Sequence, residues 1–264
     1  MKLHQLYLTK NDCYKAGRKI NVKGLMLHST GANNPKLSRY IGPDDGIIGR
    51  NPNGNHWNNP GIQKCVHGFI GLDKNGEVRT YQTLPWNHRG WHAGGSANNT
   101  HIGVEICEDG LKDPVYFKKV YREAVELFAH LCKKFGLTVS AIIDHSEGRK
   151  RGIASNHGDV MHWFPKHGKS MDTFRKDVQN EINGVTVVQP TPKPEPVKEV
   201  KLLELSKTQR EALAEVYKKA HTEGIFSSDE HVKDVLNEKM TESKAIYLNG
   251  LILGTLLNDG TRLK

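Results

Sequence analysis

Three rhythms of apolar and polar positions run along this chain, and each predicts a different element. Val22 to His28 is a nearly continuous apolar run led by Gly24, which predicts a short buried strand with His28 at its C-terminal end. Functional residues of α/β sheets gather at such ends. VHGFIGL and EVRTYQT, within Val66 to Thr83, predict a β-hairpin closed by a two-residue Asn75-Gly76 turn. HIGVEIC, His101 to Cys107, is a further strand, and VSAIID, Val139 to Asp144, is another that delivers His145 at its end. Val120, Ala124, Leu127, Phe128, Leu131 and Cys132 recur at helical spacing and predict a helix over Pro114 to Phe135, stopped by Gly136. Ser170 caps a second helix running to about Ile182, closed by Asn183-Gly184. Strands alternating with helices fit an α/β fold, a central β-sheet flanked by helices.

Between these elements the pattern breaks. Ser29 to Gly61 is rich in Gly, Asn and Pro, and a loop that long is either functional or disordered. Tyr40, His56 and Trp57 favour a substrate-facing loop. PWNHRGWHAGG places Trp86, Trp91 and His92 in one short stretch, and two readings stand: edge packing, or the wall of a groove. Residues 185–200 carry Pro190, Pro192, Pro194 and Pro196, which predicts an extended, semi-rigid linker. It separates a first domain, residues 1–184, from a small all-α bundle, residues 201–264. Ser206 to Gln209 and Ser227 to Glu230 are capping-box patterns there. Three helices are expected: one to about Glu223, one over Ser228 to Met240, and one over Thr241 to Leu257. Leu213, Val216, Tyr217 and Ala220 form one apolar stripe. Ile246, Leu248, Leu251, Ile252, Leu253, Leu256 and Leu257 form a broader one, with Gly250 and Gly254 small enough for close helix approach. A bundle this small has a thin core, so it is expected to need a partner or to self-associate through its helices.

The net charge of +9 lies wholly in residues 1–184, because the last 64 residues hold 10 basic and 10 acidic side chains and the linker two of each. A basic surface attracts a polyanion. No arginine-rich helix or nucleic-acid motif accompanies the charge, so no nucleic-acid partner is expected. No stretch approaches a membrane span. MKLHQLYLTKND has no apolar core, so no signal peptide is expected, and synthesis in the cytoplasm with later release would follow. Cys13, Cys65, Cys107 and Cys132 form no C-x-x-C unit and are expected to be free, mostly buried thiols.

The densest chemistry is DHSEGRKRGIASNHGDVMHWF, with His145, His157, Asp159 and His162, and His28 far upstream. Separated histidines with a carboxylate are the donor set of a catalytic zinc, which takes three protein ligands and keeps a fourth position open. Glu105 sits mid-strand and shares a face with Gly103 and Cys107. A carboxylate there is costly unless paired or near a metal, although an outward-facing edge position would also explain it. H-E-x-x-H is absent, against the commonest metalloprotease class.

GLMLHSTG, GWHAGG, THIGVEICEDG and the terminal H…D-x-x-x-W segment together resemble N-acetylmuramoyl-L-alanine amidases of the type-2 class. That class shares its fold, a mixed central sheet flanked by helices, with peptidoglycan-recognition proteins, and includes phage and prophage endolysins. The resemblance covers about Leu8 to Val178. It implies one zinc held by His28, His145 and Asp159, with His157 as catalytic partner and Glu105 as catalytic acid/base. No Pro follows Asp159, a departure from the family pattern that leaves His157 or His162 as competing third ligands. The resemblance also implies bacterial peptidoglycan as substrate, cut between N-acetylmuramic acid and L-alanine, with His67, Trp86, Trp91 and His92 as groove residues. The alternatives are a non-catalytic peptidoglycan-binding module and a zinc peptidase acting on wall peptides.

Overall fold

A computed structural model of the chain describes residues 1–184, 202–225, 228–242, 244–246, 248, 249 and 252. The expected linker, Ser227, Gly250, Leu251 and residues 253–264 lie outside the described residues. The chain divides into two compact units, Met1–Val187 and Val188–Lys264.

The elements of the first unit are β1 (Leu3–Gln5), α1 (Asp12–Ala16), β2 (Gly24–Asn33), β3 (Gly68–Leu72), β4 (Val78–Gln82), β5 (His101–Glu108), α2 (Pro114–Phe135), β6 (Ile142–Asp144), α3 (His145–Lys150) and α4 (Met171–Ile182). The strands form one mixed six-stranded sheet in the order β1-β4-β3-β5-β2-β6. Only β3 and β4 pair antiparallel; β2 and β5 are central, parallel and buried, as their continuous apolar runs require. Alternation then sorts the side chains. Leu25, Leu27, Ile102, Val104 and Ile106 meet Val120, Leu127, Phe128 and Leu131 of α2 in the main core. His28, Gly103, Glu105 and Cys107 take the alternate positions of the same strands. The opposite layer holds Leu37, Tyr40, Ile41, Phe69 and Tyr81, with Cys107 among them.

α2 starts and stops where the periodicity predicts, with the Asp113 side chain accepting the Val115 and Tyr116 amides and Gly136 left-handed at the end. Several expectations change. β2 continues past His28 to Asn33 although its side chains turn polar, because polar contacts with β5 hold it: Glu108 N–H donates to Thr30 Oγ1 (3.1 Å) and Gly31 N–H to Glu108 Oε1 (3.1 Å). His28 therefore sits within the strand. The hairpin turn is longer than two residues. Gly76 N–H donates to Asp73 O, Asp73 N–H donates to Glu77 O, and Gly76 is left-handed (φ 79°), a type I turn with a bulge. Ser29 to Gly61 is not one open loop: Leu37, Tyr40, Ile41 and Ile48 are buried in the second layer. The predicted strand Val139 to Asp144 begins with a 3-10 turn and is extended only over Ile142–Asp144. Cys13 and Cys65 are not free but joined in a disulfide, their Cα atoms 6.5 Å apart across 52 residues of sequence; Cys107 and Cys132 are free and buried.

In the second unit, α5 (Lys207–Thr222) begins at the Ser206–Gln209 capping box, and α6 (Glu230–Leu236) is shorter than predicted and starts at Asp229 without a side-chain cap. Ala214, Tyr217, Ala220, Val235, Met240, Ala245, Leu248 and Ile252 make its core. Val216 and Ile246, expected on the apolar stripes, face solvent at 42% and 73% exposure. No helix among the described residues is long and apolar enough to cross a membrane.

Candidate metal centre

Strand register assembles the site. His28 on β2 is paired with Glu105 on β5, and Leu27 with Asp144 on β6. One step beyond β6 is His145, the first residue of α3. A capping box fixes that residue: Asp144 Oδ1 accepts the Glu147 amide (2.6 Å) and Glu147 Oε2 accepts the Asp144 amide (3.3 Å). Arg175 grips both Glu147 oxygens, at 2.9 and 3.0 Å. The box is spelled by Asp144 and Glu147 in the sequence, a start signal for α3 that the strand-and-loop reading passed over.

Asp159 arrives on the 3-10 turn Asp159–His162, whose flanking Trp163 and Phe164 are buried against Phe117 of α2. Its backbone is left-handed (φ 39°), which Asp tolerates better than most residues. Asp159 Oδ2 lies 2.8 Å from His28 Nδ1 and 2.8 Å from His145 Nδ1. Donor atoms of these three residues lie within 4.8 Å of one another and could hold one metal ion. Burial opposes ionisation of Asp159, but hydrogen bonds from His145 and His28 outweigh it and hold the carboxyl well below its ordinary range.

The histidine side facing away from Asp159 is equally organised. His28 Nε2 is 2.9 Å from His92 Nδ1, and His92 Nε2 is 3.1 Å from the His101 carbonyl. That carbonyl can only accept, so neutral His92 carries its proton on Nε2 and accepts from His28 Nε2, an arrangement in which His28 Nδ1, the nitrogen facing Asp159, is the one that would turn its lone pair to a metal. His92 stays neutral, because burial and the neighbouring His28 and His67 push its pKa well down. Gly103 makes room: a Cβ there would stand 2.6 Å from the His92 ring. His145 Nε2 is 3.1 Å from Ser155 Oγ, and Ser155 Oγ is 3.0 Å from His157 Nδ1. Ser155 thus links the His145 ring to the exposed His157, whose Nδ1 also lies 3.3 Å from His145 Nε2.

Glu105 and His157 open with His28, His145 and Asp159 into one cleft of about 240 Å³, rimmed by Trp57, Lys64 and Trp91. β5 is central, so the edge-strand reading of Glu105 fails. Its Oε2 is shut from solvent without a partner. Burial, then the nearby Asp159 and Glu108 carboxylates, push its pKa well above the usual 4.5.

Two expected groove residues lie elsewhere. His67 is fully buried; its Nε2 donates to the His88 carbonyl (2.8 Å) and its Nδ1 accepts the Gly103 amide (3.0 Å), while burial lowers its pKa to about 4. Trp86 is buried in the main core. Trp91, 46% exposed, and His92 both line the cleft, His92 with its ring against His28. His162 is not among the clustered donors; its Nε2 meets Glu108 Oε1 at 2.9 Å. Lys64, stacked 4.9 Å over Trp57, had no distinguishing signal in the sequence.

The family model described as N-acetylmuramoyl-L-alanine amidase matches residues 17–163 of this chain. The chain belongs to that family. All the clustered residues fall inside the matched range, and the second unit falls outside it. A probable N-acetylmuramoyl-L-alanine amidase of Bacillus licheniformis is 34% identical over 92 residues, 35% of this chain and 23% of its own length. The N-acetylmuramoyl-L-alanine amidase CwlH of Bacillus subtilis is 35% identical over 101 residues, 37% of this chain and 39% of its own. The chain thus spans less than two fifths of either relative. The ligand-bound structure of the Staphylococcus aureus hydrolase AmiA shares the fold, with a TM-score of 0.52 at 19% identity over 71% of this chain and 87% of that one.

Proposed function

We propose that the first unit is a zinc-dependent N-acetylmuramoyl-L-alanine amidase that hydrolyses the amide between the lactyl group of N-acetylmuramic acid and L-alanine in bacterial peptidoglycan. The observation that carries this reading is the convergence of His28 Nδ1 and His145 Nδ1 on Asp159 Oδ2, beside an unpartnered Glu105 carboxyl. The donor set suits one zinc: two imidazoles with their far nitrogens already engaged, and one carboxylate. Bound there, zinc supplies Lewis-acid polarisation of the scissile carbonyl.

The chain's own groups account for the proton traffic. Glu105 sits across the strand pair from His28 and takes a proton from the attacking water, then gives it to the leaving amine. Its raised pKa brings it nearer to neutrality, where a group serves both as acid and as base. His157, held through Nδ1 by Ser155 Oγ, donates from Nε2 to the developing oxyanion when protonated. Trp57, Trp91 and Lys64 form the rim against which sugar or peptide packs. The Cys13–Cys65 disulfide suits an enzyme that works outside a reducing compartment, on the wall after release, in the manner of an endolysin. The second unit would target the wall or self-associate.

Purified protein should release free amino termini from muropeptides without raising reducing sugars, and a chelator should abolish the release. Reducing ends without amines would mean a glycosidase, and chelator-resistant release would remove the metal from the reading.

A further inference from the structure

A second depression, of about 170 Å³, shares the Trp91 ring with the metal cleft. Its charged walls are Arg18, Arg89 and Asp12. The wall is a short antiparallel contact: Lys19 is bridged to His88, Ile20 N–H donates to Asn87 O (2.8 Å), and Arg89 N–H donates to Arg18 O (2.8 Å). In that register Arg18 stands opposite Arg89, and both line the same depression. Like charges directly opposite one another destabilise an antiparallel pair. A bridging carboxylate would relieve the repulsion, yet the arginine ion pairs among the described residues belong to Arg79, Arg122, Arg175 and Arg210. Asp12, the acidic group on the wall, is engaged through Oδ1 by the Gly61 amide at 3.0 Å. Two guanidiniums against one carboxylate leave a net positive charge.

Arg89 is also held in place. It is half-buried, its Nε donates to Asn99 Oδ1 at 2.7 Å, its Nη1 lies 3.4 Å from the Gly90 carbonyl, and its guanidinium lies 6.0 Å from the centre of the Trp91 ring. A fixed planar fork with a second arginine on the same wall is suited to a carboxylate, which it grips through parallel N–H bonds. The shared Trp91 puts that grip one side chain away from the metal cleft.

We propose that Arg18 and Arg89 form a carboxylate-binding subsite, which takes a free carboxylate of the stem peptide while the scissile amide lies at the metal cleft. This rests on the amidase reading above. The subsite would make the enzyme discriminate between walls whose peptide carboxylates are free and walls in which they are amidated.

The test compares two muramoyl peptides, identical except that one has its carboxylates free and the other amidated, on wild-type protein, Arg18→Gln, Arg18→Glu and Arg89→Gln. Wild type should favour the free carboxylate through KM by about tenfold, the effect of one charged hydrogen bond, with kcat unchanged. Arg18→Gln should erase the preference and Arg18→Glu should invert it. Arg18 is exposed, so its replacement decides the matter even where loss of the Arg89–Asn99 bond disturbs folding. Equal KM for both peptides on wild type, or a preference untouched in Arg18→Gln, would overturn the subsite. Calorimetric titration of both peptides into Glu105→Gln protein reads the same ratio without turnover. Absence of hydrolysis in the wild type would then count against the amidase reading, while the binding ratio alone decides the subsite.

Discussion

The candidate metal centre has a strand-borne half and a turn-borne half, and they are held by different physics. His28 and Glu105 face each other across the ladder of two central strands, and one strand over, β6 hands His145 to a capped helix start. Their spacing follows from backbone pairing, and many buried contacts with α2 stand behind it. Asp159 and His157 lie on irregular chain. Asp159 has a left-handed backbone anchored by Trp163 and Phe164, and His157 is exposed and tied to the frame through Ser155. The strand-borne half supplies position without help. The turn-borne half depends on a few side-chain contacts and on the metal it would share.

The largest effect expected from breaking the strand-borne half is on turnover. Glu105→Gln should lower kcat by about 1,000-fold while zinc content stays at wild-type level, measured by atomic absorption beside an amine-release assay. On the turn-borne side, His157→Ala should lower kcat by about 100-fold, the loss of one oxyanion donor, again with zinc retained. The ring behind His28 tests whether a strand-borne ligand also needs orienting. His92→Phe keeps the ring volume but removes the acceptor for His28 Nε2–H, and should weaken zinc by about 10- to 100-fold in a competition titration with a chelating dye.

The smallest effect is on stability, and it carries a sign. Glu105 has a folded-state pKa raised above 4.5, so in metal-free protein its full contribution to stability is present below that value and is lost as pH rises through the folded pKa. Glu105→Gln should therefore raise the melting temperature of the chelated protein at pH 7 to 8 and leave it unchanged at about pH 4. A variant that melts lower than wild type at pH 7 would mean that Glu105 is stabilised by a partner this structure does not show.

How much of this was legible in the sequence follows the same division. Helical spacing marked α2 to the residue, and the apolar runs of β2 and β5 marked the strands that carry His28 and Glu105. The choice of Asp159 over His157 and His162 came from resemblance, since all three lie within six residues and only their folded directions separate them. The Cys13–Cys65 pair joins α1 to the approach of β3 across 52 residues, a distance at which spacing carries no signal. His67 and Trp86 share their stretch of sequence types with true cleft residues, but one spends both ring nitrogens on backbone and the other fills the core. His92 stood out as a cleft residue, yet its task of orienting His28 depends on a ring passing over Gly103, which only the folded chain displays.

The central claim is that one zinc is held by His28, His145 and Asp159 rather than by His157. The direct measurement is zinc content per chain in Asp159→Ala and His157→Ala protein prepared side by side, with circular dichroism to confirm that both are folded. Asp159→Ala should lose the metal and His157→Ala should keep one zinc per chain. Zinc retained by Asp159→Ala and lost from His157→Ala would contradict the assignment and move the third ligand two residues upstream.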